Sequence, residues 1–314
     1  MGNKPKHIIL GAGGAVGNAL TEELLSNGEK VKLVSRKKHS IDGTETAGAD
    51  LNDMDSTIAV IDASSIVYLL VGLPYNRSIW KEQWPRIMKN VVEACKPKNA
   101  RLVFFDNVYI YGRVNGKMTE ESPPKPDSEK GKIRAEIAEY LMSETRDGTF
   151  KAIIARAADF YGPHADKVSL PYIFYFSRLA AGKKARVLVN AKTRHSYSYS
   201  VDCGKALYLL AHDESAWNQV WHMPTASPAL TDEEFIGIIA EKLEAIPEYT
   251  TLRKWMVKLS GLFDKQVGEV YEMLYQNEYD YEFDSSKFEK HFGFKPTSYE
   301  KGIADTIDFF KLKK

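Results

Sequence analysis

The feature that most constrains this chain is a run of glycines set between an apolar, strand-like segment and a helical one. His7-Ile8-Ile9-Leu10 leads into Gly11-Ala12-Gly13-Gly14-Ala15-Val16-Gly17, followed by the helical stretch NALTEELLSNG. Without Cβ atoms, glycines at this spacing permit a tight turn, close approach of backbone N–H groups to a pyrophosphate, and close packing of helix on sheet. The helix N-terminus adds a partial positive charge at the same place. Gly11, Gly13, Gly14, Ala15, Val16 and Gly17 are therefore candidate dinucleotide-binding positions. The plainer alternative is a glycine-rich turn with no ligand.

Beyond this loop, apolar runs rich in β-formers (VKLVS, SIVYLLVG, RLVFFDN and FKAIIARAAD) alternate with segments of helical periodicity. Such alternation predicts βαβ units and an α/β fold with a doubly wound parallel sheet. From Lys130 onward, Ile133, Ile137 and Leu141 recur every four residues, which predicts a helix with one buried stripe. Lys130 and Arg134 share a face beside that stripe. The stretch before it, 116–131, is rich in proline and charge and reads as an exposed connection. After Gly162 the sequence turns to aromatic helical pieces, with ARVLV and QVWHMPT as further strands, so a second region interleaves with the first.

At the end of the second strand, where an NAD-binding protein of this architecture places an acidic residue for the ribose 2′-hydroxyl, the sequence reads Val34-Ser35-Arg36-Lys37-Lys38. A hydroxyl followed by a guanidinium suits a 2′-phosphate, so Ser35 and Arg36 favour NADP over NAD. A solvated basic loop is the alternative. Asp50, with Leu51, follows a short third strand and is a candidate partner for the adenine amino group.

Composition excludes several other classes. The chain has 314 residues with 43 Lys+Arg against 42 Asp+Glu, and a net charge of +1 offers no field for nucleic acid. Its longest apolar stretch, Ile66 to Leu73, is far short of the roughly 18 residues of a membrane span, and the basic start has too few apolar residues for a signal peptide. Cys95 and Cys203 lie far apart with no ligand spacing, and the seven histidines show none either. The expectation is a cytoplasmic protein without metal, acting on a small molecule.

Read together, the landmarks are Gly11, Gly14 and Gly17; Asp50-Leu51; YLLVG with Val71 and Gly72; Asn90; DNVYIYG from Asp106; RAADFYGP from Arg156; RHSYSYSVDCGKAL from Arg194; and WHMPTASPALT from Trp221. In this order the chain resembles the extended short-chain dehydrogenase/reductase superfamily, in its NAD-dependent epimerase/dehydratase-like branch. The resemblance implies a Rossmann domain over 1–162 with returning segments near 186–225. It also implies a smaller, mostly helical substrate-binding portion over 163–185 and 226–314. It adds Val71 and Gly72 to the cofactor site and suggests a homodimer paired through two helices on one sheet face.

The resemblance also shows where this sequence departs from its relatives. Asn107 stands where they carry a catalytic Ser or Thr, and Lys130 and Arg134 stand where they carry the Tyr and Lys of Tyr-x-x-x-Lys. Arg134 can orient ribose hydroxyls but does not exchange protons. Lys130 is either a donor whose pKa is lowered by Lys132 and Arg134, or a solvated lysine at a helix start. Tyr109 and Tyr111 would face opposite ways if the fifth strand continued through them; the resemblance makes Tyr111 a packing residue and leaves Tyr109 as the more interesting donor. Tyr161 resembles a residue beside the nicotinamide, or is a structural turn tyrosine. Arg194 and Tyr197 occupy a substrate-contacting segment in relatives, or form an ordinary strand-edge pair. The function expected is an NADP-dependent oxidoreductase or epimerase with a non-standard proton donor, the alternative being a non-catalytic NADP-binding sensor.

Overall fold

The computed structural model describes residues 6–37, 39–166 and 169–312, so Lys38 of the basic cluster lies outside the described residues. The chain divides into two compact units, the first formed by Met1–Asn107, Lys132–Arg156 and Cys203–Trp221, the second by Val108–Gly131, Ala157–Asp202 and His222–Lys314.

The first unit is built on a seven-stranded sheet. Its strands are β1 (Lys6–Leu10), β2 (Lys30–Ser35), β3 (Glu45–Gly48), β4 (Ile66–Leu69), β5 (Arg101–Asn107), β6 (Ala152–Ala157) and a last strand, Gln219–His222. The order is 3-2-1-4-5-6 with the last strand beyond β6, and every pairing from β3 through β5 is parallel. Strands covered on both faces must be apolar throughout, and Ile8, Ile9, Leu10, Val67, Tyr68 and Leu69 are fully buried. The edge strand β3, with the sequence ETAG, is short and mostly exposed, which blunts an otherwise open row of backbone groups. Lys32 is buried in β2 because its ammonium donates to the Val60 carbonyl at 3.1 Å and to Asp62 at 2.8 Å.

The main helices of this unit are α1 (Ala15–Ser26), α2 (Met54–Val60), α3 (Arg77–Cys95) and α4 (Glu129–Ser143), whose first three residues count with the second unit. A side chain starts two of them: Asp53 accepts from the Ser56 N–H, and Asn76 from the Ile79 N–H. The predicted stripe on α4 is buried, with Ile133, Ile137, Ala138 and Leu141 at its core. Helix Ser200–His212 crosses α1 at Gly204, where a Cβ would meet the Ala19 carbonyl carbon at 2.6 Å and its Cβ at 2.8 Å.

The second unit has an aromatic core. Tyr161, Phe176, Phe235 and Tyr299 pack with Ile236, Ile239, Ile303 and Ile307. Helix Asp232–Leu243 begins with a reciprocal capping box between Thr231 and Glu234. The expected division at 162, with a return near 186–225, is drawn differently. Strand Ala185–Leu188 pairs with Tyr249–Leu252, and Met118 bridges to Phe283, so 108–131 and the 185–188 strand join the C-terminal region; the return to the first unit is 203–221. Among the described residues, no helix is long and apolar enough to cross a membrane.

Replacing Gly204 by valine forces the two helix backbones apart. It is predicted to destabilise the protein by about 1–3 kcal/mol, the usual cost of overpacking. Urea denaturation checks this; an unchanged midpoint would mean that the crossing relaxes without cost.

Candidate functional site

The glycine loop lies at the C-terminal end of β1, beside the end of β4, where the strand order reverses and open α/β sheets bind ligands. Gly11 has a φ of +96°, and a Cβ there would lie 2.7 Å from Val71 backbone atoms. Only glycine lets the loop pass so close to the chain leaving β4. The loop is tied to β2 as well, since the N–H groups of Gly11 and Ala12 donate to the Val34 carbonyl at 2.9 and 3.2 Å.

At the N-terminus of α1, Gly14 provides no side-chain cap. A Cβ on Gly14 would meet nothing within 4 Å. Gly13 and Gly14 are exposed, and the first turn of α1 (Ala15, Val16 and Gly17) follows directly behind them, so an anionic pyrophosphate has room at Gly14, at the helix N-terminus. The residues present fit a dinucleotide. Gly17 is less critical sterically, because its Cβ would make only ordinary contacts at 3.7–3.8 Å.

At the end of β2, Arg36 is exposed and Ser35 donates its hydroxyl hydrogen to the Lys37 carbonyl. Asp50 is held below the usual carboxylate range by the backbone and side-chain N–H groups of Asn52, with a smaller contribution from Arg36. Leu51 is buried, and its carbonyl accepts from the Asn90 amide at 2.9 Å, which accounts for Asn90 among the landmarks. Val71 and the exposed Gly72 follow Leu70, just beyond β4.

The fifth strand stops at Asn107. Residues Val108–Tyr111 form a 3-10 turn, so the expected alternation of Tyr109 and Tyr111 along a strand does not occur. Tyr111 is buried and lies 2.6 Å from His222 Nε2. Because His222 Nδ1 sits 2.7 Å from the Asp284 carbonyl, that nitrogen carries the hydrogen of the neutral ring and Tyr111 donates to the other. Tyr109 is half-buried, and the first turn of α4 packs on its backbone: a Cβ on Gly131 would lie 2.5 Å from the Tyr109 carbonyl oxygen.

Lys130 is fully buried, which corrects the reading of a solvated lysine at a helix start. Its ammonium donates to Glu269 Oε2 at 2.6 Å, to the Glu269 carbonyl at 3.0 Å and to Glu272 Oε1 at 2.7 Å, one acceptor for each of its protons.

Arg134 is also buried, with its guanidinium 4.0 Å from the Trp84 ring centroid and 3.5 Å from Asp106 Oδ1. Asp106 Oδ2 accepts from Nε and a terminal nitrogen of Arg156, both at 3.3 Å. One buried carboxylate therefore faces two buried guanidiniums. Sequence reasoning treated Asp106 and Arg156 only as family landmarks. The available signal was the charge itself: an Asp inside the apolar run LVFFDN has to find cations.

In the second unit Tyr161 is a core residue, its ring filling the space where Gly302 lacks a side chain; burial raises its pKa far above normal. Arg194 donates to the Ala229 carbonyl at 2.6 Å, and Tyr197 donates to the buried Asp232 at 2.8 Å. Between them in sequence, His195 donates from Nε2 to Asp159 at 3.0 Å. Burial opposes a charge on His195, but Asp159 and Asp232 together push its pKa up. Neither this pair nor Asp232 was anticipated from sequence.

A doubly wound sheet with an open glycine loop at its reversal point defines a Rossmann-type dinucleotide-binding protein. The model of the NAD dependent epimerase/dehydratase family matches residues 7–221, and the chain belongs to that family. No curated protein matches it. Among solved structures, it is similar to a Thermus thermophilus UDP-glucose 4-epimerase in complex with NAD (19% identity, TM-score 0.78, covering 98% of this chain and 99% of that one). Similar too are a Bacillus anthracis dTDP-glucose 4,6-dehydratase with NAD (15%, 0.79, 98% and 97%) and a Thermotoga maritima UDP-glucose 4-epimerase with UDP-glucose (19%, 0.78, 98% and 98%). At these identities the likeness establishes the shared fold.

Removing the carboxylate in Asp106→Ala leaves two guanidiniums buried without it. The expected loss of stability is about 3–5 kcal/mol, as for other broken buried ion pairs. Denaturant titration measures it, and a loss below about 1 kcal/mol, the range of exposed pairs, would show that Asp106 does not hold these cations.

Proposed function

We propose that the chain is an NADP-binding, epimerase/dehydratase-like oxidoreductase acting on a hydroxyl or carbonyl carbon of a small molecule. The observation that carries this reading is the open N-terminus of α1 at Gly14, reached from a loop that only glycine can form at Gly11. When bound, the nicotinamide supplies the hydride acceptor or donor. The preference for NADP rests on Arg36, exposed at the end of β2 where a carboxylate for the 2′-hydroxyl is missing. Ser35 would have to release the Lys37 carbonyl to join it, so Arg36 bears most of the discrimination. Asp50 is assigned to the adenine amino group, and Val71 and Gly72 to the cofactor's edge.

In this reading Asn107 replaces a hydroxyl with a neutral hydrogen-bonding amide. Arg134 supplies fixed positive charge, Lys130 anchors the start of α4, and Tyr109 is the proton donor. The second unit is the substrate-binding portion. Nucleotide sugars are the first substrates to try, since UDP-glucose occupies one of the similar structures. A specific observation also favours a second reading, a regulatory NADP-binding protein: all three protons of Lys130 are engaged by Glu269 and Glu272. Turnover separates the readings, because a sensor binds cofactor without changing its absorbance in the presence of any carbonyl or hydroxyl substrate.

Arg36→Ala should weaken NADP binding by about 10-fold or more, in line with the loss of a charge-assisted hydrogen bond, while leaving NAD binding nearly unchanged; equal losses in calorimetry would remove the case for NADP. With a substrate in hand, Tyr109→Phe should lower kcat by about 100-fold or more at saturating cofactor. If Tyr109→Phe is silent and Lys130→Met abolishes turnover in a folded protein, the donor assignment is reversed.

A further inference from the structure

Three metal-ligating side chains meet at the end of β1 away from the glycine loop. His7 lies in β1, Glu29 just precedes β2, and His212 ends helix Ser200–His212; their ligand atoms all fall within 4.8 Å of one another. His7 Nε2 is 3.8 Å from Glu29 Oε2, and His212 Nε2 is 3.9 Å from Glu29 Oε1. These distances are too long for a direct hydrogen bond between the groups. They do suit donor atoms sharing a cation, because two bonds of about 2.0–2.2 Å allow the ligand atoms to stand up to roughly 4.2 Å apart.

The other ring nitrogens point to the same conclusion. His212 Nδ1 is 2.7 Å from the Tyr208 carbonyl, which can only accept, so Nδ1 carries the hydrogen and the neutral ring turns a lone pair on Nε2 towards Glu29. His7 Nδ1 is 3.0 Å from the Tyr68 hydroxyl. Metal-bound imidazoles are oriented in this way, each with its second nitrogen held by a neighbouring oxygen. The two rings are stacked with centroids 5.3 Å apart and an interplanar angle of 19°.

We propose that His7, Glu29 and His212 form a site for a divalent transition-metal ion of the zinc class, with a fourth position left for water. Two imidazoles and one carboxylate are a recognised zinc donor set. At this position the ion would staple β1, the entry to β2 and the C-terminal end of helix Ser200–His212. It stands apart from the cofactor loop and has no part in the chemistry proposed above. The ligands are scattered along the sequence, which is why spacing alone led to the expectation of no metal.

The test uses the tag-free, full-length chain, freed of metal by chelation and then titrated with zinc chloride in a calorimeter. One ion should bind per chain, and zinc should raise Tm. His212→Ala, at a partly exposed helix end, and Glu29→Gln should each weaken binding by about 10-fold or more, since loss of an outer-shell partner alone costs about 10–100-fold; both variants should lose the zinc-dependent rise in Tm. His291→Ala, an exposed histidine elsewhere, should bind as the wild type does. The proposal is overturned if the wild-type chain binds no zinc, or if either folded ligand variant, verified by circular dichroism, binds with wild-type affinity.

Discussion

The backbone contact between Gly11 and Val71 sets the geometry on which the rest of the first unit depends. Two parallel strands, β1 and β4, lie side by side, and the chain leaving one must pass the chain leaving the other. With no Cβ at Gly11 they pass at close range, and the Val34 carbonyl ties the loop to β2 on the other side. These ties direct the N-terminus of α1 into open space at Gly14. Farther along α1, the same economy of side chains recurs at Ala19 and Gly204, so the helix is held by close backbone approaches near both its start and its middle.

Much of this was legible in the sequence because it is local. The glycine run, the apolar strands and the four-residue stripe of α4 each express a period or a turn requirement within a short window. The stop of β5 at Asn107 was not legible: Val108, Tyr109, Ile110 and Tyr111 have strong β-propensity, yet they form a tight turn whose tyrosines take up tertiary roles. Tyr111 reaches His222 and Lys130 reaches Glu269, partners more than a hundred residues away that no local pattern identifies. Likewise, the strand character of 185–188 was readable, but its pairing with 249–252 was not.

The charged residues Lys130 and Arg134 of α4 are both buried. Lys130 is paired with Glu269 and the half-buried Glu272, and Arg134 shares the buried Asp106 with Arg156. Burying these cations is costly without such partners. Glu269, Glu272 and Asp106 are therefore the partners that let Lys130 and Arg134 sit inside the protein.

The most direct test of the account is calorimetric titration of NADP into the wild-type chain and into Gly14→Val. At Gly14 a side chain meets no protein atom, so the variant should fold, as checked by circular dichroism, while its methyl groups take up the space assigned to the pyrophosphate. One dinucleotide should bind per wild-type chain, and binding should be abolished in the variant. Equal affinity in the two proteins, or no binding by the wild-type chain, would contradict it.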